Sequence, residues 1–132
     1  MKFNIPGRPV PKGRPRVNRK TGAIYTPKKS VEYEANVAWC AESAGVALGP
    51  GSECYVTMYF MVADKRLADL DNLVKSVFDG LNQAYPKWDD RQVVYLQAER
   101  IMVERKDQEQ TIVDIHQHIR VNDMDDEGDR DD

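Results

Sequence analysis

The sequence predicts an α+β (mixed α/β) fold, a single domain in which one mixed β-sheet carries two packed helices. Three observations point there. Leu70, Leu73, Val74, Val77, Phe78 and Leu81 recur at i, i+3, i+4, i+7, i+8 and i+11, the stripe of an amphipathic helix. Cys54, Val56, Met58, Phe60 and Val62 alternate with period 2, as one face of a strand does. With 132 residues, 41% hydrophobic and 31% charged, the chain has material for one core and is too short for several.

The elements follow in order. Residues 2–5 read as a short opening strand closed by Pro6-Gly7. From Pro6 to Pro15 four prolines and two glycines exclude a helix and predict extended loop. Thr21-Gly22 is a turn signal, and Ile24-Tyr25 reads as a second short strand with Tyr25 directed to the core. Ser30 is placed to N-cap a helix over 31–44, with Trp39 on its core side and Gly45 as its stop. Residues 53–63 form a strand whose second face, Tyr55, Thr57, Tyr59 and Met61, is apolar enough to predict cover on both sides. A second helix spans 70–82. Residues 92–103 and 110–119 read as an antiparallel hairpin joined by the polar run 104–109. The domain is placed at 1–122, its basic loop region at 6–30 included. Residues 123–132 lack apolar periodicity and are expected to be a disordered acidic tail.

Charge is segregated along the chain. The net charge is −3, yet residues 1–30 hold nine bases and no acid, and residues 123–132 hold seven acids against Arg130. A basic arm on an acidic body predicts a polyanionic partner, with phosphates meeting the arm. No charged-then-apolar leader opens the chain, and its longest apolar run is too short for a bilayer, so no membrane association is expected. Cys40 and Cys54 form no CxxC pair, which fits free thiols in a reducing cytoplasm. No GKS or GKT phosphate loop is present, so no nucleotide cofactor is expected.

Chemistry concentrates around the second helix. Asp69-Leu70-Asp71-Asn72 opens it, Lys75 follows one turn later, and Trp88-Asp89-Asp90-Arg91 comes after its end. Clustered carboxylates are how proteins hold Mg²⁺, and a bound ion of this kind activates water and neutralises phosphodiester charge. Lys75 on the face of Asp71 would stabilise a phosphorane or a departing oxyanion. Each position also has a plainer reading. Asp69 would be an N-cap, Asp71–Lys75 an i,i+4 ion pair, and Asp89-Asp90 a turn. A 12-residue helix spans about 18 Å, so Asp90 reaches Asp69 only if the loop 83–88 and the next strand bring it back.

The stretch Asp69-Leu70-Asp71-Asn72-Leu73, with Lys75, Phe78-Asp79, Trp88, Asp89-Asp90 and Gln92-Val93-Val94, resembles the RusA family of Holliday-junction resolvases over about residues 64–103. Pro11-Lys12-Gly13-Arg14-Pro15-Arg16 and Tyr25-Thr26-Pro27 are similar to its phage and prophage members. The resemblance implies a homodimeric, Mg²⁺-requiring endonuclease, with Mn²⁺ a possible substitute, that cuts four-way DNA junctions symmetrically in recombination and repair. It implies metal-binding and catalytic roles for Asp69, Asp71 and Asp90 and a catalytic role for Lys75. The host would be a bacterial or phage-infected cell. Four consecutive bases are common in the family just before the motif; here Lys65-Arg66 is followed by Leu67-Ala68. The acidic tail is not part of the family pattern.

The residues expected to meet DNA are Lys12, Arg14, Arg16, Arg19, Lys20, Lys28, Lys29, Lys65 and Arg66. His116 and His118 alternate on one strand but lack a third ligand beyond Asp114, so exposed strand histidines are expected. Trp88 is expected to pack and fix the loop that presents Asp90. Two alternatives keep the basic arm: a non-catalytic binder of branched DNA, and a nuclease acting on forks or flaps; a third gives the function to the acidic tail, as a DNA mimic or a docking segment.

Overall fold

The computed structural model describes residues 1–66 and 68–119. In chain order these form β1 (Lys2–Pro6), β2 (Arg16–Val17), β3 (Ile24–Tyr25), α1 (Lys28–Ser43), β4 (Ser52–Val62), α2 (Leu70–Ala84), β5 (Val93–Met102) and β6 (Gln110–Ile119). Short 3-10 turns stand at Asp90–Gln92 and Lys106–Gln108. The acidic tail from Asp123 lies outside the described residues. Among those described, no helix is long and apolar enough to cross a membrane.

The sheet order is β1-β6-β4-β5, with β5 parallel to β4 and the other pairs antiparallel. This confirms an α+β domain with a mixed sheet and two helices, and it corrects the hairpin expected of the last two strands. β5 and β6 flank β4 on opposite sides, because β4-α2-β5 is a crossover that returns β5 parallel to β4. Residues 103–109 then carry the chain past β4. Proximity in sequence and a polar link made the hairpin look local; the crossover helix overrode it.

One face of the sheet holds the core. Phe3 and Ile5 of β1, Cys54, Val56, Met58 and Phe60 of β4, and Val113 and Ile115 of β6 pack under Tyr33, Val37 and Ala41 of α1 and Leu73, Val77 and Leu81 of α2. Among the described residues nothing covers the opposite face: Tyr55 is exposed, and Thr57, Tyr59 and Met61 are half-buried. Tyr55 stacks on Tyr95 and meets His118 edge-on, with ring centroids 6.1 and 5.0 Å apart. His116 and His118 are exposed, as expected.

Helix α1 begins at Lys28 rather than at the predicted Ser30 cap. Ser30 lies buried inside the first turn, where its Oγ accepts the Gly13 N–H at 2.9 Å and so ties the arm to the helix. Trp39 is 67% exposed and Tyr25 lies outside the core, correcting both core assignments. Helix α2 crosses α1 closely at Gly80, where an added Cβ would stand 2.5 Å from Val37 Cβ. The buried Tyr33 hydroxyl meets Thr111 Oγ1 at 2.6 Å and pins α1 to β6; burial pushes that phenol up to about 12.

Candidate active site and nucleic-acid interface

Asp69 is the N-cap residue of α2, exposed, and its side chain makes no cap hydrogen bond. Its backbone carbonyl accepts the N–H groups of Asn72 and Leu73 at 3.1 Å each, so the carboxylate is left free. Asp71 is exposed in the first turn, and its Oδ1 accepts only the neighbouring Asn72 N–H at 2.9 Å. Among the described residues neither carboxylate enters an ion pair. Both stand at the positive end of the helix dipole, which favours negative charge there.

Lys75 does not pair with Asp71. Its Nζ faces Asp79 Oδ1 at 3.5 Å. The other oxygen of Asp79 takes Lys12 Nζ at 3.0 Å, and Lys12 also reaches Glu34 Oε2 at 2.7 Å. Burial works against the Lys12 charge, but the bonds to Glu34 and Asp79 outweigh it and hold this lysine above its usual range. Lys12, expected to contact DNA, is therefore occupied in clamping the arm to both helices. Its backbone N–H donates to Asn72 O at 2.9 Å, which fixes the arm against the helix start.

Asp90 lies elsewhere. It opens the 3-10 turn just before β5, and β5 begins beside Cys54 at the first end of β4. Gln92 Nε2 donates to Gly49 O and Ser52 O at 3.0 and 2.8 Å, which anchors that end. Asp69 instead follows the other end of β4, where Arg100 of β5 donates to Ala68 O. The 15 residues of α2 separate the two places by about 22 Å. The return that would bring Asp90 back to the helix start within one chain is thus not made. Trp88 does fix the loop before Asp90: it is buried, donates to Cys54 Sγ at 3.4 Å, packs on Phe78, and its carbonyl accepts Asn82 Nδ2 at 2.6 Å. Asp89 caps the turn and receives three bonds from Arg91, at 2.7 to 3.0 Å; the guanidinium contact holds its carboxyl down at about 2.

Among the described residues no group of three or more His, Cys, Asp or Glu side chains stands together to hold a metal ion. Asp69 and Asp71 suit a hard cation by donor type, since both are carboxylates free of protein cations. The full set of three aspartates does not fit one ion within a single chain.

The bases divide into a ribbon and a hollow. Arg14, Arg16, Arg19 and Lys20 are exposed on or beside the β2–β3 ribbon, whose turn is held by Asn18 Oδ1 accepting Lys20 N–H at 2.8 Å. Lys28 and Lys29 are exposed at the start of α1, and Lys65 is exposed in the loop after β4. Arg8, Lys29, Arg66 and Arg100 line a hollow of about 380 Å³ bordered by Ala68, the residue before Asp69. Arg8 and Arg100 were not singled out in the sequence; they lie 92 positions apart and only the fold brings them together. Arg8 is oriented by Glu109 at 2.8 Å and Asp64 at 3.0 Å.

A model of the family "Endodeoxyribonuclease RusA" matches residues 6–116. The chain belongs to the RusA endodeoxyribonuclease family. That span takes in the arm, both helices, β4, β5 and most of β6, but only Pro6 of β1. RusA membership supports a nuclease with DNA as partner. No curated protein matches the chain at a significant level.

Proposed function

We propose that the chain is a Mg²⁺-dependent, structure-selective endonuclease that resolves four-way DNA junctions as a homodimer, with Mn²⁺ able to substitute. The observation that carries this reading is the placement of two carboxylates, Asp69 and Asp71, that enter no ion pair among the described residues, beside a hollow lined by four cations from four segments of the chain. Arg8, Lys29, Arg66 and Arg100 receive a backbone phosphate without reading sequence. The start of α2 adds its dipole to that attraction. Asp69 and Asp71 are the residues that would hold the cation, which, when bound, lowers the pKa of water and offsets charge on the phosphodiester. Mg²⁺ is commonly held by one or two carboxylates together with substrate phosphate oxygens, so two protein donors near a phosphate site are a workable start.

Lys75 supplies a positive charge on the same helix, oriented by Asp79. The ribbon residues Arg14, Arg16, Arg19 and Lys20 extend the phosphate contacts outward. Paired cuts in a two-fold substrate are served by a two-fold dimer with equivalent sites.

The test is incubation of the protein with an end-labelled four-way junction, a flap, a fork and a linear duplex, each with Mg²⁺, Mn²⁺ or EDTA. Symmetric paired nicks in the junction alone, lost with EDTA, are expected. Equal cutting of flaps or forks would move the substrate class to branched DNA in general, and binding without cutting under every metal condition would make the protein a non-catalytic binder.

A further inference from the structure

The hollow beside Ala68 has a charged rim and an apolar floor. The rim carries Arg8 from the arm, Lys29 from α1, Arg66 from the loop after β4 and Arg100 from β5, and among the described residues no carboxylate lines it. Arg8 is fixed in advance. Its Nη1 donates to Glu109 Oε2 at 2.8 Å and its Nη2 to Asp64 Oδ1 at 3.0 Å, so three of its five N–H donors remain. The Glu109 side chain is 7% exposed, and the same Oε2 accepts the Ala63 N–H at 2.9 Å, which holds the carboxylate in one place. Asp64 Oδ1 also accepts the Arg66 N–H at 3.0 Å; this bond and the one from Arg8 keep its carboxyl below the usual aspartate range.

Four cations backed by two carboxylates leave two positive charges over, and Lys29 enters no ion pair among the described residues. A phosphodiester brings one negative charge, whereas a phosphomonoester at neutral pH brings nearly two, with three acceptor oxygens. Arginine forks suit that group, since they meet phosphate through paired hydrogen bonds. Beneath the rim Pro9, Val62 and Leu73 are buried and offer apolar surface. A free phosphate has nothing to lay on that floor, but a terminal nucleotide has a deoxyribose and a base, and about 380 Å³ has room for them.

We infer that the hollow is a site for the phosphorylated end of a DNA strand, with the monoester phosphate on Arg8, Lys29, Arg66 and Arg100 and the terminal sugar and base over Pro9, Val62 and Leu73. Hydrolysis of a phosphodiester by water breaks one P–O bond and leaves a hydroxyl on one fragment and a monoester phosphate on the other. The ligand is thus of the class that cleavage at Asp69 and Asp71 would make, and the site holds a cut end after the bond is broken. That origin rests on the proposed nuclease reading; the binding does not.

The ligand's own ionisation gives the site a signature. A phosphomonoester takes its second charge near pH ~6. Around it stand arginines and one lysine from the arm, α1, the loop after β4 and β5, with Asp64 and Glu109 behind them, and no histidine lines the hollow. The bases keep their charge between about pH 5.5 and about pH 8. Binding that tightens as pH rises through this window therefore follows the charge of the ligand.

Calorimetric titration of the full chain in EDTA tests this. A thymidine trinucleotide phosphorylated at one end, each end in turn, is compared with an unphosphorylated pentanucleotide. Both carry four negative charges, so bulk electrostatics do not separate them. At pH about 8 a phosphorylated trinucleotide is expected to bind about tenfold tighter or more, the margin of hydrogen bonds to a charged group, and the margin shrinks toward pH about 5.5. Arg66→Ala, at a side chain 89% exposed, removes the margin without touching the core. Arg8→Gln combined with Glu109→Gln, which withdraws the cation together with its buried counter-charge, removes it too. Alanine at Arg16, Arg19 and Lys20 weakens both oligonucleotides and keeps the margin.

Equal affinities overturn the inference, as does a margin that ignores pH, survives either hollow variant or is lost with the ribbon. Inorganic phosphate titrated alone is expected to bind more weakly than the trinucleotide; equal binding would make this a free-phosphate site and overturn the strand end. Nothing measured requires cleavage. A protein that cuts no DNA yet keeps the margin refutes the nuclease reading alone.

Discussion

Lys75 and Asp79 face each other at 3.5 Å across one turn of α2, and among the described residues Asp71 then has no cation paired with it. The second oxygen of Asp79 holds Lys12 at 3.0 Å, so one carboxylate joins the arm to the helix that bears the candidate site. The arrangement begins at Gly80. The missing side chain there lets α1 and α2 approach, which brings Glu34 and Asp79 toward each other, and Lys12 offsets the resulting like charge.

Among the described residues Asp71→Asn removes no ion pair and no buried contact. Its stability is therefore expected within about 0.5 kcal/mol of wild type by thermal melting. Cleavage of a four-way junction is expected to fall by roughly 10²-fold or more, with junction affinity retained. A variant that melts normally and cuts normally would remove Asp71 from the site.

Gly80→Ala is expected to destabilise, although alanine is the better helix former. The new Cβ would meet Val37 Cβ at 2.5 Å and Glu34 O at 2.9 Å, contacts that force the helices apart. Overpacking of this kind costs about 1–3 kcal/mol, more than the propensity gain of up to about 1 kcal/mol. Urea unfolding measures the difference, and a stabilised variant would contradict the close crossing.

Replacing Arg16, Arg19 and Lys20 together by alanine leaves the core untouched, since all three are exposed on the ribbon and its turn. DNA affinity is expected to fall for junction and duplex alike. If all three meet phosphates, the slope of log affinity against log salt decreases in magnitude by about 2 to 3. Fluorescence anisotropy titrations at several salt concentrations give that slope; an unchanged slope would place the DNA away from the ribbon.

Asp89 titrates at about 2, below an ordinary aspartate, because Arg91 hydrogen-bonds its charged form. The stabilisation it lends the turn before β5 is complete above the unfolded value near ~3.9 and is lost as pH falls through about 2. Arg91→Ala is expected to return the Asp89 carboxyl toward the ordinary range. Carboxyl carbon shifts followed by NMR across acid pH would show it, and an unmoved midpoint would refute the role of Arg91.

Much of the fold was legible because two patterns were strong. The stripe from Leu70 to Leu81 and the alternation from Cys54 to Val62 are one-sided burial written in spacing, and the structure buries those residues. Asp69, Asp71 and Lys75 were found because the helix start fixes them locally. What sequence did not show depends on where strands enter the sheet. Whether Asp90 returns to Asp69 turns on the direction of β5, and nothing between residues 83 and 92 encodes it. Trp39 falls at helical spacing with the apolar positions of α1 and Tyr25 is an aromatic on a strand, patterns that point to the core, but each stands where the single-sided core does not reach. Arg8 and Arg100 join one hollow only through tertiary structure.

The pairing of β1 with β6 sets an order of events in synthesis. The Met1 ammonium donates to Ile115 O at 2.8 Å, and Lys2 through Pro6 register against Asp114 through Gln110. Because β6 also separates β1 from β4, the first strand has no place in the sheet until the last one has left the ribosome. Helices α1 and α2 can form earlier, as local elements do, but the long-range closure must wait. Until then the basic arm emerges on a chain with no finished domain behind it, able to attract nucleic acid before the site that would act on it is assembled.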